Sequence, residues 1–366
     1  MNDNSRFIKA GLYGAGHFGA FVVRSLAQSN CVRVVAVASR TAERAAILAR
    51  EEGVRRAHTS YEALLADPDV DLVIVATPPA EHARQTLAAF AAGKHVFVEK
   101  PLATSLDDAE QVQAEASSRN LIVAVDYPMI YSPLVEAAAL FSASRLVGPL
   151  LRISVENIAS CKGLDDSHWF WNKDLSGGIF VEHGVHFFDW CGRIAGDVQR
   201  VVALTASRGM REDRVFAAVG HSNGAVASYY HAFVAQPETE RTRAVLSFEG
   251  VDLILDGWIP TRLHMAGSSA AVATTTIRRM LRRTVESVPD ATVGFYFDAG
   301  PKQALYAESV RAAVEDMVHS IREPGYVARN DIRRALPSLR VAIAARDAAQ
   351  NGIAVEVDPK KTAVLP

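Results

Sequence analysis

Three titratable side chains are spaced so that one helix would bring them to a common face. They are Glu182, His186 and Asp189, at i, i+4 and i+7 of a helical pattern that covers residues 178–194. A histidine flanked by carboxylates is the usual layout of a tuned acid–base group, so His186 is the candidate base, with Glu182 and Asp189 orienting it. The alternatives are a histidine satisfied within the core and a zinc site, but the spacing is not that of a zinc protease motif. We therefore expect proton transfer without a metal.

A lysine stands directly after a predicted buried strand. Lys100 follows the apolar run 95–98 and Glu99, and Pro101 restricts the backbone that carries it. An ammonium group there would hydrogen-bond a substrate oxygen and stabilise developing negative charge. The alternative is a surface charge. We predict that Lys100 is catalytic and that it also contacts substrate and cofactor.

A glycine-rich turn near the start of the chain predicts a dinucleotide site. The apolar run 8–12 leads into Gly14, Gly16 and Gly19 with the spacing Gly-x-Gly-x-x-Gly, and a helical pattern follows. Gly14 permits the tight turn, Gly16 lets a pyrophosphate approach the backbone, and Gly19 lets the helix pack closely. An ordinary strand–turn–helix is the alternative. The remaining residues of the turn that we expect to contact the cofactor are Ala15, His17 and Phe18.

The residues after the second predicted strand indicate which dinucleotide binds. An acidic residue about 20 positions beyond the glycines would bind the adenosine ribose hydroxyls and favour NAD. This chain has Ser39, Arg40 and Thr41, whose two hydroxyls and guanidinium suit a 2′-phosphate. We therefore expect NADP rather than NAD, with the alternative that Arg40 stacks on the adenine of either cofactor. Further cofactor contacts are predicted after the next two strands, at Thr77, Pro78, His82, Glu99 and Lys100.

The elements that must hold these residues alternate between strand and helix in the first third of the chain. Apolar runs at 8–12, 32–38, 72–76, 95–98 and 121–125 are separated by helical patterns. Nearly continuous apolar strands are typical of a parallel sheet covered on both faces, which indicates an α/β, doubly wound Rossmann domain. Ligands of such sheets bind at the carboxyl ends of the strands, where the turns described above lie.

After residue 127 the pattern changes to longer strands and fewer helices. Residues 151–156 alternate apolar and polar side chains, and further strand patterns follow between residues 198 and 258. We expect an α+β domain with an antiparallel or mixed sheet and helices on one face. The predicted domains are residues 1–127, which bind the dinucleotide, and 128–366, which bind substrate and form oligomers.

Composition excludes several classes of protein. The 366 residues are 49% hydrophobic and carry a formal net charge of -2, so neither disorder nor binding to nucleic acid or an anionic membrane is indicated. No apolar run is long enough to span a bilayer, and the first residues do not look like a signal peptide. Cys31, Cys161 and Cys191 are widely spaced and suit neither a disulfide framework nor a zinc site. We expect a cytoplasmic protein with a small-molecule partner.

Together these motifs resemble the glucose–fructose oxidoreductase/inositol dehydrogenase/MocA (Gfo/Idh/MocA) family of nicotinamide-dependent sugar and cyclitol oxidoreductases. The residues that carry the resemblance are the glycine turn at 14–19, Thr77-Pro78, Glu99-Lys100-Pro101, and the helix with His186 and Asp189. The resemblance implies a Rossmann domain and then a domain with a large, open-faced, mostly antiparallel sheet, which supplies the substrate site and often the oligomer interface. It also implies that Lys100 is the active-site lysine, His186 the acid–base histidine, and Asp189 the acidic residue one turn on.

Two departures from the family pattern concern the substrate. Position 182 is Glu where the family usually has Asp, and residues 126–133 lack the Asn and Arg that many members carry. Trp169 and Trp171 would stack on an apolar sugar face, although packing in the core is an equal alternative. The candidate substrate-binding residues are Lys100, Tyr127, Trp169, Trp171, Glu182 and His186.

The predicted function is reversible hydride transfer between a secondary alcohol of a sugar, cyclitol or related polyol and nicotinamide C4 of NADP or NAD. His186 would take the hydroxyl proton while Lys100 polarises the same oxygen. One alternative is an enzyme that recycles a tightly bound cofactor through oxidation, elimination and re-reduction. Another is a non-catalytic nucleotide-sensing regulator on the same fold.

The segment 225–235 further predicts a homodimer or homotetramer. Its residues do not alternate apolar with charged side chains, so both faces of the strand should be covered. The predicted helices cover one face, and a second copy related by a two-fold axis is the simplest cover for the other. The alternative is that residues 259–299 fold back over that face.

Overall fold

The chain divides into two compact units in the computed structural model, which describes residues 7–281, 286–290 and 294–358. The first unit comprises the residues up to Pro128 together with Ala307–Leu336. The second comprises Met129–Tyr306 together with the residues from Pro337 onward. The unit boundary near Pro128 lies where the sequence pattern changes. The assignment of Ala307–Leu336 to the first unit differs from the predicted division into two continuous blocks.

The first unit contains a parallel six-stranded sheet, which confirms the predicted Rossmann arrangement. Its strands are β1 (Ile8–Tyr13), β2 (Val32–Ala38), β3 (Arg56–His58), β4 (Leu72–Val75), β5 (His95–Glu99) and β6 (Val123–Asp126). Their order across the sheet is β3-β2-β1-β4-β5-β6. The chain reverses direction across the sheet between β1 and β4, which is where doubly wound sheets bind their ligands. Every residue of β4 and β6 is buried, as expected for strands covered on both faces.

The second unit contains a ten-stranded sheet that is mixed but mostly antiparallel, as predicted. Its strands are β7 (Arg152–Ser160), β8 (Val198–Arg208), β9 (Arg211–His221), β10 (Val226–Ala235), β11 (Arg241–Phe248), β12 (Val251–Asp256), β13 (Arg262–Ala266), β14 (Glu286–Asp290), β15 (Gly294–Asp298) and β16 (Val355–Glu356). The order is β14-β15-β13-β12-β11-β7-β10-β9-β8-β16, and among the described strands of this second sheet only β7 and β10 pair in parallel. The strands β13 to β16 were not predicted, because they are short or interrupted.

Three helices of the second unit lie on one side of its sheet. The α-helices of the described chain are α1 (His17–Leu26), α2 (Ala42–Glu51), α3 (Tyr61–Leu65), α4 (His82–Ala91), α5 (Leu106–Arg119), α6 (Pro133–Ser144), α7 (Lys173–Ser176), α8 (Val185–Ala195), α9 (Ala270–Met280), α10 (Lys302–Arg322) and α11 (Ile332–Asn351). Both α8 and α9 pack on α6. Phe141 of α6 meets the buried Phe248 of β11 edge to face, with ring centroids 5.5 Å apart. These three helices therefore share the face of the sheet on which Phe248 is buried.

Contacts distant in sequence explain why residues 307–336 belong to the first unit. The Ser29 hydroxyl donates to Glu315 of α10 at 2.7 Å, and the backbone N–H of Val125 donates to the carbonyl of Asn330 at 2.9 Å. Sequence periodicity predicts the helices themselves but carries no information about partners nearly 300 residues away. Among the described residues, no helix is both long and apolar enough to cross a membrane.

Candidate active site

The glycine turn after β1 leaves room for a ligand at one position only. Gly14 has φ +118°, and a Cβ there would lie 2.2 Å from the carbonyl oxygen of Ala76. A Cβ on Gly19 would lie 1.9 Å from the carbonyl oxygen of Gly14. A Cβ on Gly16 would have no described neighbour within 4 Å, and Gly16 is the N-cap of α1 with no side-chain cap on the helix. The start of α1 is therefore open to an anion, which fits the pyrophosphate of a dinucleotide.

A cavity of about 350 Å³ adjoins this turn on the side of α2. Its lining includes Gly16, the exposed His17 and Arg44. Arg44 is exposed in the first turn of α2, and the sequence analysis did not single it out. A second guanidinium thus lies beside the turn predicted to hold the cofactor. The other residues that line the cavity are Ala15, Ala20, Ile47, Leu48 and Glu51.

The segment predicted to select the cofactor follows β2. Ser39 is buried, its hydroxyl oxygen accepts from the N–H of Thr41 at 3.4 Å, and Thr41 is the N-cap of α2. Burial raises the pKa of Tyr13, the last residue of β1, and Arg40 is among the cations that oppose this rise. Arg40 therefore exerts its charge near the carboxyl end of β1.

The ends of β4 and β5 carry the next group of predicted cofactor residues. The Thr77 hydroxyl donates to Oε1 of Gln85 at 2.6 Å, and Pro78 is exposed. Oε2 of Glu99 accepts from the backbone N–H of Lys100 at 2.6 Å. The peptide bond that joins Lys100 to Pro101 is cis.

His82 was predicted to contact the cofactor. In the structure its ring nitrogens lie within hydrogen-bond distance of backbone carbonyl oxygens. The imidazole is fully buried. Its Nδ1 lies 2.6 Å from the carbonyl oxygen of Pro101, and its Nε2 lies 2.7 Å from the carbonyl oxygen of Thr77. The first turn of α4 therefore connects the turn after β4 to the turn after β5.

A buried carboxyl group at the end of β6 was not singled out by sequence reasoning. The parallel register pairs Asp126 with Glu99. Burial raises the pKa of Asp126 well above its ordinary value, the charge of Glu99 adds to the rise, and Lys100 opposes it. Neither Asp126 oxygen has a hydrogen-bond partner among the described residues. The next residue, Tyr127, is also buried. The sequence signal that could have identified Asp126 is its position at the end of a strand. The sequence does not show which carboxyl groups at strand ends become fully buried.

The predicted helix at 178–194 is continuous from residue 179 in the second unit, but it contains a π turn that was not predicted. Residues Phe180–Gly184 form a π-helical turn, and α8 begins at Val185. Gly177 and Gly178, with φ +82° and +84°, bring the chain sharply into this turn. A π turn holds more residues than an α turn, so the expected alignment of positions 182, 186 and 189 on one face does not carry over directly.

One acidic side chain on this segment, Asp189, has a partner that was not predicted. His186 and Asp189 are buried, whereas Glu182 is half-buried. Both oxygens of Asp189 accept from Arg193, at 2.9 and 3.0 Å, one turn further along α8. Burial raises the pKa of Asp189, and the Arg193 guanidinium opposes that rise. One of the two carboxylates that were expected to orient the His186 ring is thus held in an ion pair within its own helix.

A polar row crosses the covered face of the sheet beneath the π turn. The register aligns His231 of β10 with Asn157 of β7 and Thr242 of β11. Oδ1 of Asn157 lies 2.8 Å from Nε2 of His183, and Nδ2 of Asn157 donates to the Thr242 hydroxyl at 2.6 Å. Because an amide oxygen only accepts, Nε2 of His183 is the donor. Burial lowers the pKa of His231 well below its ordinary value, and His183 adds to this effect.

An aromatic residue that sequence reasoning missed lies against His186. The rings of Trp258 and His186 meet edge to face at 86°, with centroids 5.3 Å apart, and Trp258 contacts Tyr306 in the same way at 5.0 Å. The predicted Trp171 instead donates its indole N–H to the carbonyl of Leu164 at 3.2 Å. The strand pattern predicted Trp258 as the end of a strand, whereas it lies in a turn just after β12.

Trp169 and Trp171 belong to a packed aromatic cluster. Phe170 lies between them in sequence and contacts both rings, and Phe233 of β10 contacts Phe170 and Trp171. Both tryptophans are half-buried. This arrangement favours the core-packing alternative. Across the described ranges, no group of three or more histidine, cysteine or acidic side chains could hold a metal ion.

Comparisons with known proteins agree with this geometry. A family model described as "Oxidoreductase family, NAD-binding Rossmann fold" matches residues 8–127. A second, described as "GFO/IDH/MocA C-terminal domain", matches residues 143–250. The first match covers β1 to β6, and the second covers β7 to β11 of the ten-stranded sheet.

Curated relatives and solved structures extend the match. A 1,5-anhydro-D-fructose reductase of Ensifer adhaerens is 30% identical over 231 residues, which are 62% of this chain and 69% of that protein. A D-xylose 1-dehydrogenase (NADP(+)) of Haloferax volcanii is 28% identical and covers 95% of this chain and 99% of its own. A levoglucosan dehydrogenase in complex with NADH and levoglucosan has a TM-score of 0.81 at 20% identity, covering 96% of this chain and 99% of its own. That structural likeness shows a shared fold.

Proposed function

Because the chain belongs to the Gfo/Idh/MocA family of NAD(P)-dependent oxidoreductases, we propose that it transfers hydride between a secondary alcohol of a sugar, cyclitol or related polyol and nicotinamide C4. The observation that carries the proposal is the open start of α1 at Gly16, where no neighbouring atom of the described residues lies within 4 Å of the position that a Cβ would take. When bound, the nicotinamide dinucleotide would supply the two-electron redox chemistry.

The proposed roles of the side chains follow from their chemistry and placement. Lys100, at the end of β5, would donate a hydrogen bond to the substrate oxygen and stabilise its negative charge. His186 would take the hydroxyl proton. Trp258, which lies edge-on against His186, is a better candidate than Trp169 or Trp171 for contact with the apolar face of a sugar. Glu182 is only half-buried and can hydrogen-bond sugar hydroxyls.

The proposed cofactor is NADP in preference to NAD. Its 2′-phosphate would be bound by Ser39, Arg40 and Thr41, and Arg44 adds a second guanidinium beside the glycine turn. Arg40→Asp should lower the NADP-to-NAD ratio of kcat/KM about tenfold or more, since a charge-assisted bond becomes a repulsion. Arg50→Asp, at the other end of α2, is the matched control. An unchanged ratio for Arg40→Asp, or a wild type that strongly prefers NAD, would contradict the assignment.

The substrate class is proposed from the relatives, which are named as a reductase of 1,5-anhydro-D-fructose and a dehydrogenase of D-xylose. A panel of sugars, cyclitols and polyols, each with NADP and with NAD, tests it by the absorbance of the reduced nicotinamide. We expect stoichiometric reduction of the cofactor with at least one compound. Product formation without net absorbance change would instead show a recycled cofactor, and no turnover with any compound would contradict the proposal.

We also propose that two copies associate through the uncovered face of the ten-stranded sheet. In register on that face lie Leu204, Phe216 and Tyr230, and the exposed fractions of Leu204 and Phe216 are 67% and 38%. Nearby Val202 and Val226 are 47% and 55% exposed. The described part of residues 259–299 does not cover this face, because α9 packs on α6 on the other side. An apolar patch of this kind is typical of an interface.

Light scattering at micromolar concentration tests the association. The proposal predicts a mass of at least twice 39.5 kDa, and Leu204→Glu should shift the protein towards the monomer. Leu140→Glu, at an exposed leucine on the helix side, should leave the mass unchanged. A wild-type monomer would contradict the proposal.

The cysteines Cys31, Cys161 and Cys191 are free thiols, and on this basis we propose a reducing compartment, the cytoplasm.

A further inference from the structure

The imidazole of His82 faces two partners that can only accept hydrogen bonds. They are the carbonyl oxygens of Pro101, 2.6 Å from Nδ1, and of Thr77, 2.7 Å from Nε2. A neutral imidazole has one N–H and one lone pair, so it could donate to only one carbonyl and would oppose a lone pair to the other. We propose that His82 carries a proton on both ring nitrogens and, as an imidazolium, clamps the turns after β4 and β5 together, which positions Lys100.

The two distances support a charged donor. Hydrogen bonds donated by a cation are shorter than neutral ones, with N···O distances of about 2.7 to 2.9 Å, and both bonds of His82 are at or below the lower end of that range. Full burial and the first turn of α4 both disfavour a cation at this position. The two short hydrogen bonds to carbonyl oxygens stabilise the cation against these unfavourable effects. Glu99 supplies a carboxylate at the same edge of the sheet.

The clamp connects the phosphate-binding turn to the lysine. Ala76 packs so closely against Gly14 that no Cβ would fit between them, and Thr77 follows Ala76 directly. The imidazolium joins Thr77 to Pro101, the residue after Lys100. His82 thus acts on Lys100 through the backbone and is a positioning residue. Its loss should lower kcat more than it weakens dinucleotide binding.

Nuclear magnetic resonance of the wild-type protein labelled with ¹⁵N at histidine and ¹³C at backbone carbonyls tests the protonation state directly. At pH 7.5 we expect two ring N–H protons for His82, each coupled across its hydrogen bond to the carbonyl carbon of Thr77 or Pro101. His95 is the internal reference: its Nδ1 accepts from the N–H of Ile122 at 3.0 Å, and burial lowers its pKa, so it should show one ring N–H. A single ring N–H on His82 at this pH would overturn the proposal.

Kinetics of His82→Phe test the positioning role. Phenylalanine keeps a ring but donates no hydrogen bond, so kcat should fall about tenfold while the dinucleotide Kd changes less than about threefold. His95→Phe, at the opposite end of β5, should leave both values unchanged. Unaltered kcat in His82→Phe would overturn the positioning role. The catalytic readout rests on the proposed function, but the NMR result does not. If no polyol is oxidised, or if His82→Phe does not fold, the number of ring protons in the wild type still decides the proposal.

Discussion

The carboxyl edge of the parallel sheet and the helical segment around His186 each enclose a buried aspartate, but in opposite circumstances. Asp126 ends β6 with no hydrogen-bond partner among the described residues and with Glu99 beside it in the register. Asp189 on α8 is equally buried, yet both of its oxygens accept from Arg193. Burial raises the pKa of each carboxyl group, whereas a guanidinium opposes the rise only at Asp189.

The difference separates a group that stabilises the fold from one whose charge is open to change. An ion pair within one helix holds Asp189, so its carboxylate contributes to the stability of α8. Asp126 is fully buried beside Glu99, and this burial disfavours a negative charge and raises its pKa well above the ordinary value, although Lys100 opposes the rise. The sequence analysis predicts that Asp189 helps to orient His186 for catalysis. The contacts favour Asp126, rather than Asp189, as the carboxyl group whose ionisation can change.

The largest effect on stability is expected from breaking the ion pair. Asp189→Asn should lower the free energy of unfolding by about 3 kcal/mol, because it leaves a partly buried guanidinium without its carboxylate. Chemical denaturation at pH 7 measures this. If Asp189→Asn unfolds like the wild type but loses turnover, Asp189 acts in catalysis as the sequence suggested. The double variant Asp189→Asn with Arg193→Met is the control, since it removes both charges.

The next test asks whether both regions take part in the reaction. Lys100→Ala and His186→Asn should each lower kcat about a hundredfold or more, because each removes a group proposed to act on the reacting hydroxyl. Thermal melting and dinucleotide binding should stay close to wild type. His221→Asn is the control. The imidazole of His221 hydrogen-bonds to the backbone carbonyl of Gly196 and has no proposed role in the reaction. Near-full turnover in His186→Asn would transfer the proton-accepting role elsewhere.

Two glycines separate the structural from the binding function of the turn. Gly14→Ala should destabilise the protein by about 2 kcal/mol, because of its positive φ and the collision of Cβ with the Ala76 carbonyl. Gly16→Ala should cost less than about 1 kcal/mol of stability but weaken dinucleotide binding about tenfold, since its Cβ occupies open space. Calorimetric melting and titration with the dinucleotide measure the pair. Equal affinities of wild type and Gly16→Ala would place the pyrophosphate elsewhere.

The last test is the titration of Asp126, which changes the free energy of unfolding by at most about 1.4 kcal/mol per pH unit. The folded state holds this proton more tightly than the unfolded chain, in which Asp has its ordinary pKa of 3.8. Above that pH the unfolded chain releases the proton first, so the wild type loses stability as pH rises towards the folded pKa. Asp126→Asn is neutral throughout, and its stability relative to wild type should increase from pH 5 to pH 8. A difference independent of pH would mean that Asp126 is ionised in the folded protein.

Local pattern in the sequence determined the elements and the turns. Apolar runs separated by helical periodicity indicated the Rossmann sheet, and the spacing of Gly14, Gly16 and Gly19 indicated an open helix start. These features are readable because side-chain periodicity and the backbone freedom of glycine are properties of neighbouring residues. The same reasoning placed Lys100 at the end of β5, since a strand and the residue that follows it are adjacent in the chain.

Only the tertiary structure decided which groups pair and which charges persist. The His82 ring lies within hydrogen-bond distance of the carbonyls of Thr77 and Pro101. Asp126 lies beside Glu99, and its carboxyl oxygens have no hydrogen-bond partner among the described residues. The sequence shows that these side chains can bond or ionise but not what the fold brings within 3 Å of them. Ionisation depends on burial and on those partners, and both are set when separate strands and helices pack together.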